Sequence, residues 1–212
     1  STAKLTLNHD KYDFTAGFES YEDLQLLSSD RYQYILPYYS FDKQIFSKFD
    51  KGSINFSSFG SNDLNNTNNL KTRVINDLNF KSLDLMTDYG VKNNYNIYMK
   101  NLNTTAKNDA QYKSSPQVEL MSIFEFNSSL PMINETENSI NYLTPKVSFR
   151  FNPGDMKNYS DTDRKISVSN IFDINRLGID DSFEEGKSLT MGLDFKKTSI
   201  LDINKFFEAK LA

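Results

Sequence analysis

Apolar and polar residues alternate along most of the chain, and this alternation limits the possible folds more than any other feature. A repeat of two residues is that of a β-strand, whose side chains point to opposite faces in turn. A helical repeat competes with it only in the last dozen residues. The alternation is clearest in five segments: YDFTAGFES (12–20), LKTRVINDLNFK (70–81), QVELMSIFEFNS (117–128), PKVSFRFN (145–152) and SLTMGLDFK (188–196).

The pattern predicts about nine strands. Turn chemistry separates several of them, as in FDKG at 49–52, TDYG at 87–90 and NPGD at 152–155. No helical segment of crossover length lies between strands, so neighbouring strands should pair antiparallel. The predicted strands lie near 11–21, 32–46, 52–59, 69–85, 92–102, 117–129, 141–152, 165–174 and 187–197.

Long alternating strands suit either a soluble sandwich with a dry core or an outer-membrane barrel with an apolar outside and a wet lumen. The strands reach the ~9–11 residues that cross a bilayer when tilted. Aromatic residues cluster near strand ends, in YILPYYSF (34–41) and NYNIY (94–98). The polar faces carry full charges, which favours a watery interior and hence the barrel: Arg73, Asp77, Glu119, Glu125, Arg150 and Asp194.

Composition excludes several other classes. A net charge of −4 without a dense basic block offers no footprint for nucleic acid. The absence of cysteine excludes disulfides and thiolate metal sites within these residues, and His9 is the only histidine, so no histidine-based triad or zinc motif is present. No run approaches the ~20 apolar residues of a membrane helix. STAKLTLNHD lacks both a signal-peptide pattern and an initial Met, which suggests a mature or truncated product.

One stretch, DINRLGIDDSFE at 173–184, nearly fits a calcium loop of the EF-hand kind. Asp173, Asn175, Gly178, Asp181 and Glu184 stand at loop positions 1, 3, 6, 9 and 12. However, Leu177 occupies position 5, where an oxygen ligand is expected, and strand-like segments flank the loop in place of helices. We therefore expect a polar hairpin tip without a metal, and we expect neither a cofactor nor an enzymatic activity.

The second half of the chain resembles the β-barrel domain of the lipopolysaccharide-assembly outer-membrane protein (LptD), or organic solvent tolerance protein, family. The similarity is most specific over 141–195 and looser over the first half. It rests on a Leu-Thr-Pro-Lys strand opening, an Asn-Arg pair followed by Gly, a Glu-Gly pair and a Ser-Leu-Thr-x-Gly-Leu segment. The matching positions include Leu143, Thr144, Pro145, Asn175, Arg176, Gly178, Gly186 and Gly192.

The resemblance implies a role without chemical turnover, in which lipopolysaccharide is inserted into the outer leaflet of the bacterial outer membrane. Its acyl chains would enter the membrane lipid through a lateral opening, while its sugars pass through the lumen. The resemblance also implies an LptE-type plug lipoprotein, and an LptA-type periplasmic bridge that docks through an N-terminal jelly-roll domain. Neither that domain, nor the barrel's two closing strands, nor the family's disulfide-forming cysteines lie within these residues.

We therefore expect one all-β domain over 1–212, an antiparallel up-and-down, curved open sheet that is part of a large outer-membrane barrel. Its edges should lie near 11–21 and 187–197, because SILDINKFFEAKLA (199–212) lacks an alternating final strand. Three alternatives stay open. They are a passive porin or receptor barrel, a soluble β-rich binding domain, and an outer-membrane phospholipase, for which His9 has no obvious serine partner.

Overall fold

The computed structural model describes residues 1–25, 31–48, 52–65, 68–157, 159, 163–202 and 204–212, and within them the chain is all-β. The strands form an antiparallel, up-and-down, open sheet, which confirms that part of the predicted fold class. That the sheet belongs to a larger barrel stays a prediction. The strands are β1 (Thr2–His9), β2 (Tyr12–Glu22), β3 (Tyr32–Lys48), β4 (Gly52–Asn65), β5 (Asn69–Lys81), β6 (Leu85–Met86), β7 (Lys92–Lys107), β8 (Gln117–Ser129), β9 (Met132–Glu135), β10 (Ser139–Asn152), β11 (Gly186–Ser199) and β12 (Phe206–Leu211).

Strand order follows chain order from β1 to β12, except that β6 pairs only with β7 and β9 only with β10. Eight of the predicted strands match observed ones, and 117–129 coincides with β8. The predicted turn at 87–90 forms, since Gly90 N donates to Thr87 O at 2.9 Å and Gly90 has a φ of +80°. Residues 49–51 of the predicted FDKG turn lie outside the described part of the chain.

Three sequence-based expectations are wrong. The predicted strand at 165–174 is a series of turns, in which Ser167 N donates to Asn170 Oδ1 at 2.7 Å and Ile171 N to Ser167 O at 2.9 Å. These local bonds occupy the groups that a ladder would need. The chain's last residues form β12 instead of a short amphipathic run without a strand. The ends of the strand order are therefore β1 and β12, not the predicted 11–21 and 187–197.

The chain divides into two compact units. Unit 1 contains Ser1–Lys48, Gly52–Phe80 and Tyr98–Met121, and unit 2 contains Lys81–Ile97 and Ser122–Ala212. Strands β7 and β8 contribute to both units.

In unit 1, two adjacent tyrosines align β3 with both of its neighbours. Tyr38 pairs with Gly17 of β2, and Tyr39 pairs with Gly60 of β4. A Cβ at Gly17 would lie 2.7 Å from the Tyr38 hydroxyl and 2.5 Å from Ala3 O, and a Cβ at Gly60 would collide with the Tyr39 ring. Both glycines are needed because each ring lies directly over the neighbouring backbone.

Unit 2 is organised around β10. Its second half pairs with β8, from Lys146↔Ser129 to Phe151↔Phe124, and its first half pairs with β9. On its other side it pairs along its whole length with β11, from Ser139↔Ser199 to Asn152↔Gly186. The connection between β10 and β11 therefore begins and ends at the same point of the sheet.

Candidate functional site

In unit 2, strands β10 and β11 and the Phe124–Phe126 part of β8 mostly expose their apolar side chains and bury the polar ones between them, which is the reverse of a soluble protein. Ile123 of β8 is an apolar side chain that is buried. On β11, Leu189 and Met191 are 61% and 64% exposed, whereas Thr190 between them is 7% exposed. Cross-strand pairing carries the same alternation to the neighbouring strands. We call one side the apolar face (Phe124, Phe126, Val147, Phe149, Leu189, Met191, Leu193 and Phe195) and the other the charged face (Glu125, Lys146, Ser148, Arg150, Thr190 and Asp194).

A long segment covers part of the charged face. We call residues 163–185, the described final part of the β10–β11 connection, the strap. Arg150 on β10 donates from Nε to Ile174 O at 3.1 Å and from Nη1 to Glu184 O at 3.1 Å. Asn152 Nδ2 also donates to Glu184 O at 3.0 Å. The strap is thus held by side chains of the strand beneath it, which bind its backbone carbonyls.

One carboxylate of the strap joins two guanidinium groups. Arg176 donates to Glu184 from Nε at 2.9 Å and from Nη2 at 2.6 Å, which is a bidentate pair. Arg150 Nη1 lies 3.7 Å from Glu184 Oε2. Arg150 and Arg176 are both buried, and a buried charge requires such a partner. We call Arg150, Arg176 and Glu184 the latch.

Beside the latch, a small apolar cluster fixes the strap to the sheet. Ile179 and Phe183 are almost completely buried. The Phe172 ring lies against Gly192, where a Cβ would come within 2.7 Å of it. Lys146 Nζ lies 4.1 Å from the centre of the same ring, a cation–π contact. The strap therefore contacts β11 at Gly192 as well as β10 at Arg150.

Three of the candidate ligand side chains in the calcium-like loop bond to protein partners. Glu184 is paired with Arg176, Asp181 accepts from Tyr159 and lies 3.8 Å from Lys157, and Asn175 bonds the backbone of Ile179 at 2.8 Å and 3.2 Å. Among the described residues, no group of three or more acidic, histidine or cysteine side chains could hold a metal ion. The loop is a strap on the sheet and not an exposed hairpin tip.

Several of the residues matched to the family motif lie in the strap or beside it. Gly178 and Gly186 have φ values of +59° and +85°, the left-handed region that favours glycine. Arg176 belongs to the latch and Gly192 contacts Phe172. The other motif positions are Asn175, which closes the turn to Ile179, and the strand residues Leu143, Thr144 and Pro145 on β10.

Unit 1 also buries charge on one face of its sheet. Lys100 is 4% exposed in its side chain, and its Nζ lies 2.7 Å from Asp77 Oδ1. Arg73 Nη2 lies 3.5 Å from Asp63 Oδ2. Both pairs are formed by residues that alternate along their strands with less polar neighbours. Arg73 and Asp77, two of the charges that the sequence places on polar faces, are therefore each paired within unit 1.

An open, polar pocket of about 370 Å³ lies in unit 1 beside the β1–β2 turn. His9 stacks on Tyr12 with ring centres 4.9 Å apart, and Asp13 pairs across the strands with Asp42. No histidine–serine or histidine–carboxylate hydrogen bond is found for His9 in the described chain; its Nδ1 accepts from Lys11 N at 3.2 Å. The pocket lining shows no arrangement for nucleophilic catalysis.

A surface ion pair in unit 2 shifts the pKa of Asp84. Asp84, between β5 and β6, lies 2.6 Å from Lys92 Nζ and accepts from Asn94 Nδ2 at 2.9 Å. The hydrogen bond from Lys92 lowers the pKa of Asp84 below its ordinary value, against a smaller opposing effect of burial.

Sequence reasoning missed the latch. Arg150 was predicted on a polar face and Glu184 was treated only as a loop carboxylate, because no regular repeat links a strand residue to a loop residue far along the chain. The available signal was the pair Ile179 and Phe183, two large apolar residues that stand directly beside the acidic pairs Asp180–Asp181 and Glu184–Glu185.

No protein-family model and no curated protein sequence matches the chain. No helix among the described residues is long and apolar enough to cross a membrane.

Proposed function

We propose that the chain is part of the wall of an outer-membrane β-barrel that transports lipopolysaccharide to the outer leaflet, without enzymatic activity. In this proposal the apolar face contacts membrane lipid and the charged face lines the lumen. Two kinds of support are distinct. The arrangement of the two faces supports the barrel, and the resemblance of 141–195 to the LptD family supports lipopolysaccharide as the substrate.

The observation that carries the barrel proposal is the length of the apolar face along β11. Its apolar residues from Leu189 to Phe195 are bracketed by Lys187 and Lys197 on the same face. Ten residues of strand measure about 34 Å, which is about 26 Å along the membrane normal at a tilt of about 40°. This matches the ~25 Å apolar band of outer-membrane barrels. Lysines at both limits would place their ammonium groups in the headgroup layers.

A soluble sandwich agrees less well with the same residues. A sandwich buries its apolar face against a second sheet, but Leu189, Met191 and Phe149 are exposed and the described strands belong to one sheet. Burying Arg150 and Arg176 also has a large desolvation cost, which a water-filled lumen beside the charged face would reduce.

As implied by the resemblance, the partners of the whole protein would be an LptE-type plug lipoprotein and an LptA-type periplasmic bridge. The bridge would dock on a jelly-roll domain.

A matched pair of aromatic residues on β10 allows a direct test. Tyr142 on the charged side and Phe149 on the apolar face are 37% and 38% exposed. We would replace each in turn with a photo-crosslinking phenylalanine derivative in the full-length protein in Gram-negative cells. We expect lipopolysaccharide adducts at Tyr142 that require active transport, and phospholipid adducts at Phe149.

Phospholipid adducts at Phe149 without lipopolysaccharide at Tyr142 would support a barrel with another cargo. In that case, steady conductance of the purified protein in planar bilayers would favour the passive porin. If the crosslinker at both positions reacts only with water and forms no lipid adduct at either, the barrel itself is refuted.

A further inference from the structure

We infer that the strap is a releasable lid over the charged face, held shut by the latch, and that its opening controls access to this part of the polar path. The inference rests on the proposed function, because the charged face borders a transport path only in a barrel. The lid itself is a property of unit 2 that can be measured without any cargo.

The strap covers the sheet between two points of contact. Arg150 lies opposite Ser188, and Phe172 lies against Gly192, so Thr190 stands between them on the same face. Thr190 and its cross-strand partner Ser148 are 7% and 4% exposed. Two small hydroxyl side chains on the charged face are therefore kept from solvent by the strap above them.

The surface beneath the strap carries polar groups that water can hydrate. Ser148, Thr190 and Arg150 can each bond to water as readily as to protein. Lifting the strap therefore leaves a hydrated polar surface, whereas opening an ordinary hydrophobic core exposes apolar groups on both sides. Among the described residues of unit 2, the well-buried apolar side chains are Ile179 and Phe183 of the strap and Ile123 of β8.

In the closed state, Arg150 Nη2 is buried and bonds to no protein atom among the described residues. The closed lid then depends on Glu184, whose charge offsets those of Arg150 and Arg176. Removing that charge leaves two buried guanidinium groups without it, which favours opening.

These 212 residues contain no cysteine. In the full-length protein reconstituted in lipid vesicles, Thr190→Cys adds one thiol beneath the strap, and its maleimide labelling rate, above that of the unsubstituted protein, reports opening. We expect slow labelling in the parent and an increase of about tenfold or more with Glu184→Gln, since losing one charge-assisted hydrogen bond shifts an equilibrium by at least that factor. Asp180→Asn, an exposed charge change in the same strap, is the matched control and should have no effect.

A second variant opens the other contact. Phe172→Ala removes the strap ring that lies against Gly192 and should also speed labelling, without altering the latch. Rapid labelling in the parent, or slow labelling in both Glu184→Gln and Phe172→Ala, would overturn the lid.

Contact with the cargo is measured separately from the opening of the lid. Lipopolysaccharide crosslinking at Tyr142 should change in Glu184→Gln together with thiol labelling. Faster thiol labelling, without any lipopolysaccharide adduct in the parent or in Glu184→Gln, would support the lid and reject the proposed cargo. Lipopolysaccharide adducts that are the same in both proteins would show that the lid does not control access.

Discussion

Replacing Met191 with Arg separates a lipid-facing strand from one that is merely exposed. Met191 is 64% exposed and stands one residue from Gly192, the midpoint between Lys187 and Lys197. If these lysines mark the two membrane interfaces, Met191 lies near the bilayer midplane. An Arg there should destabilise the barrel by about 2–4 kcal/mol.

In water, the expectation is different. A substitution at so exposed a position should change stability by no more than about 0.5 kcal/mol. The two environments therefore predict costs that differ by at least about 1.5 kcal/mol, more than tenfold in the unfolding equilibrium. Leu193, on the other side of the midpoint, should give a cost similar to that of Met191 when it is replaced by Arg.

The assay is denaturant unfolding of the full-length protein in lipid vesicles, followed by far-ultraviolet circular dichroism. Lys187→Arg keeps the charge at a proposed interface and should be nearly neutral, while Met191→Leu keeps an apolar side chain and should cost less than about 1.5 kcal/mol. If Met191→Arg proves as mild as Lys187→Arg in vesicles, the assignment of this face to lipid is wrong.

Two further predictions concern charged pairs. Asp77→Leu should cost about 3–5 kcal/mol because it leaves the Lys100 ammonium buried without its carboxylate, and adding Lys100→Met should recover most of the loss in denaturant unfolding; a single-variant cost below about 1 kcal/mol would contradict this. The lowered pKa of Asp84 means that its contribution to stability is present above the ordinary aspartate pKa and is lost as pH falls through the folded value. Lys92→Met should raise the pKa of Asp84 in a carboxyl NMR titration, and an unchanged pKa would exclude the Lys92 hydrogen bond as its cause.

The alternation of side chains predicted most of the sheet because side-chain direction and side-chain burial both repeat every two residues along a strand. It predicted β8 to the residue, and it assigned Glu125 and Arg150 to the polar side of their strands. It did not indicate β12, whose FFEAKL segment places two aromatic residues in succession and so breaks the alternation. Pairing with β11 determines that strand, through contacts such as Phe207↔Lys197.

The strap shows a different limit of pattern analysis. Its segment ISVSNIF (166–172) alternates like a strand, but the Asn170 side chain bonds the backbone that precedes it, accepting from Ser167 N and donating to Lys165 O. Such local bonds compete with a ladder and are not visible as a period. The pairing of Arg176 with Glu184 has no period either, since it depends on how the whole connection folds back on the sheet.

The adjacent rings of Tyr38 and Tyr39 select the register of β3 when the sheet assembles. Each ring fits only over a residue without a Cβ, Gly17 on one side and Gly60 on the other. A shift of β3 along either neighbour would bring a ring onto a residue with a side chain, such as Thr15 or Ser58, so misaligned sheets are rejected at both borders of one strand. Related chains should then exchange these positions in pairs, a smaller residue replacing the tyrosine wherever the glycine opposite it is lost.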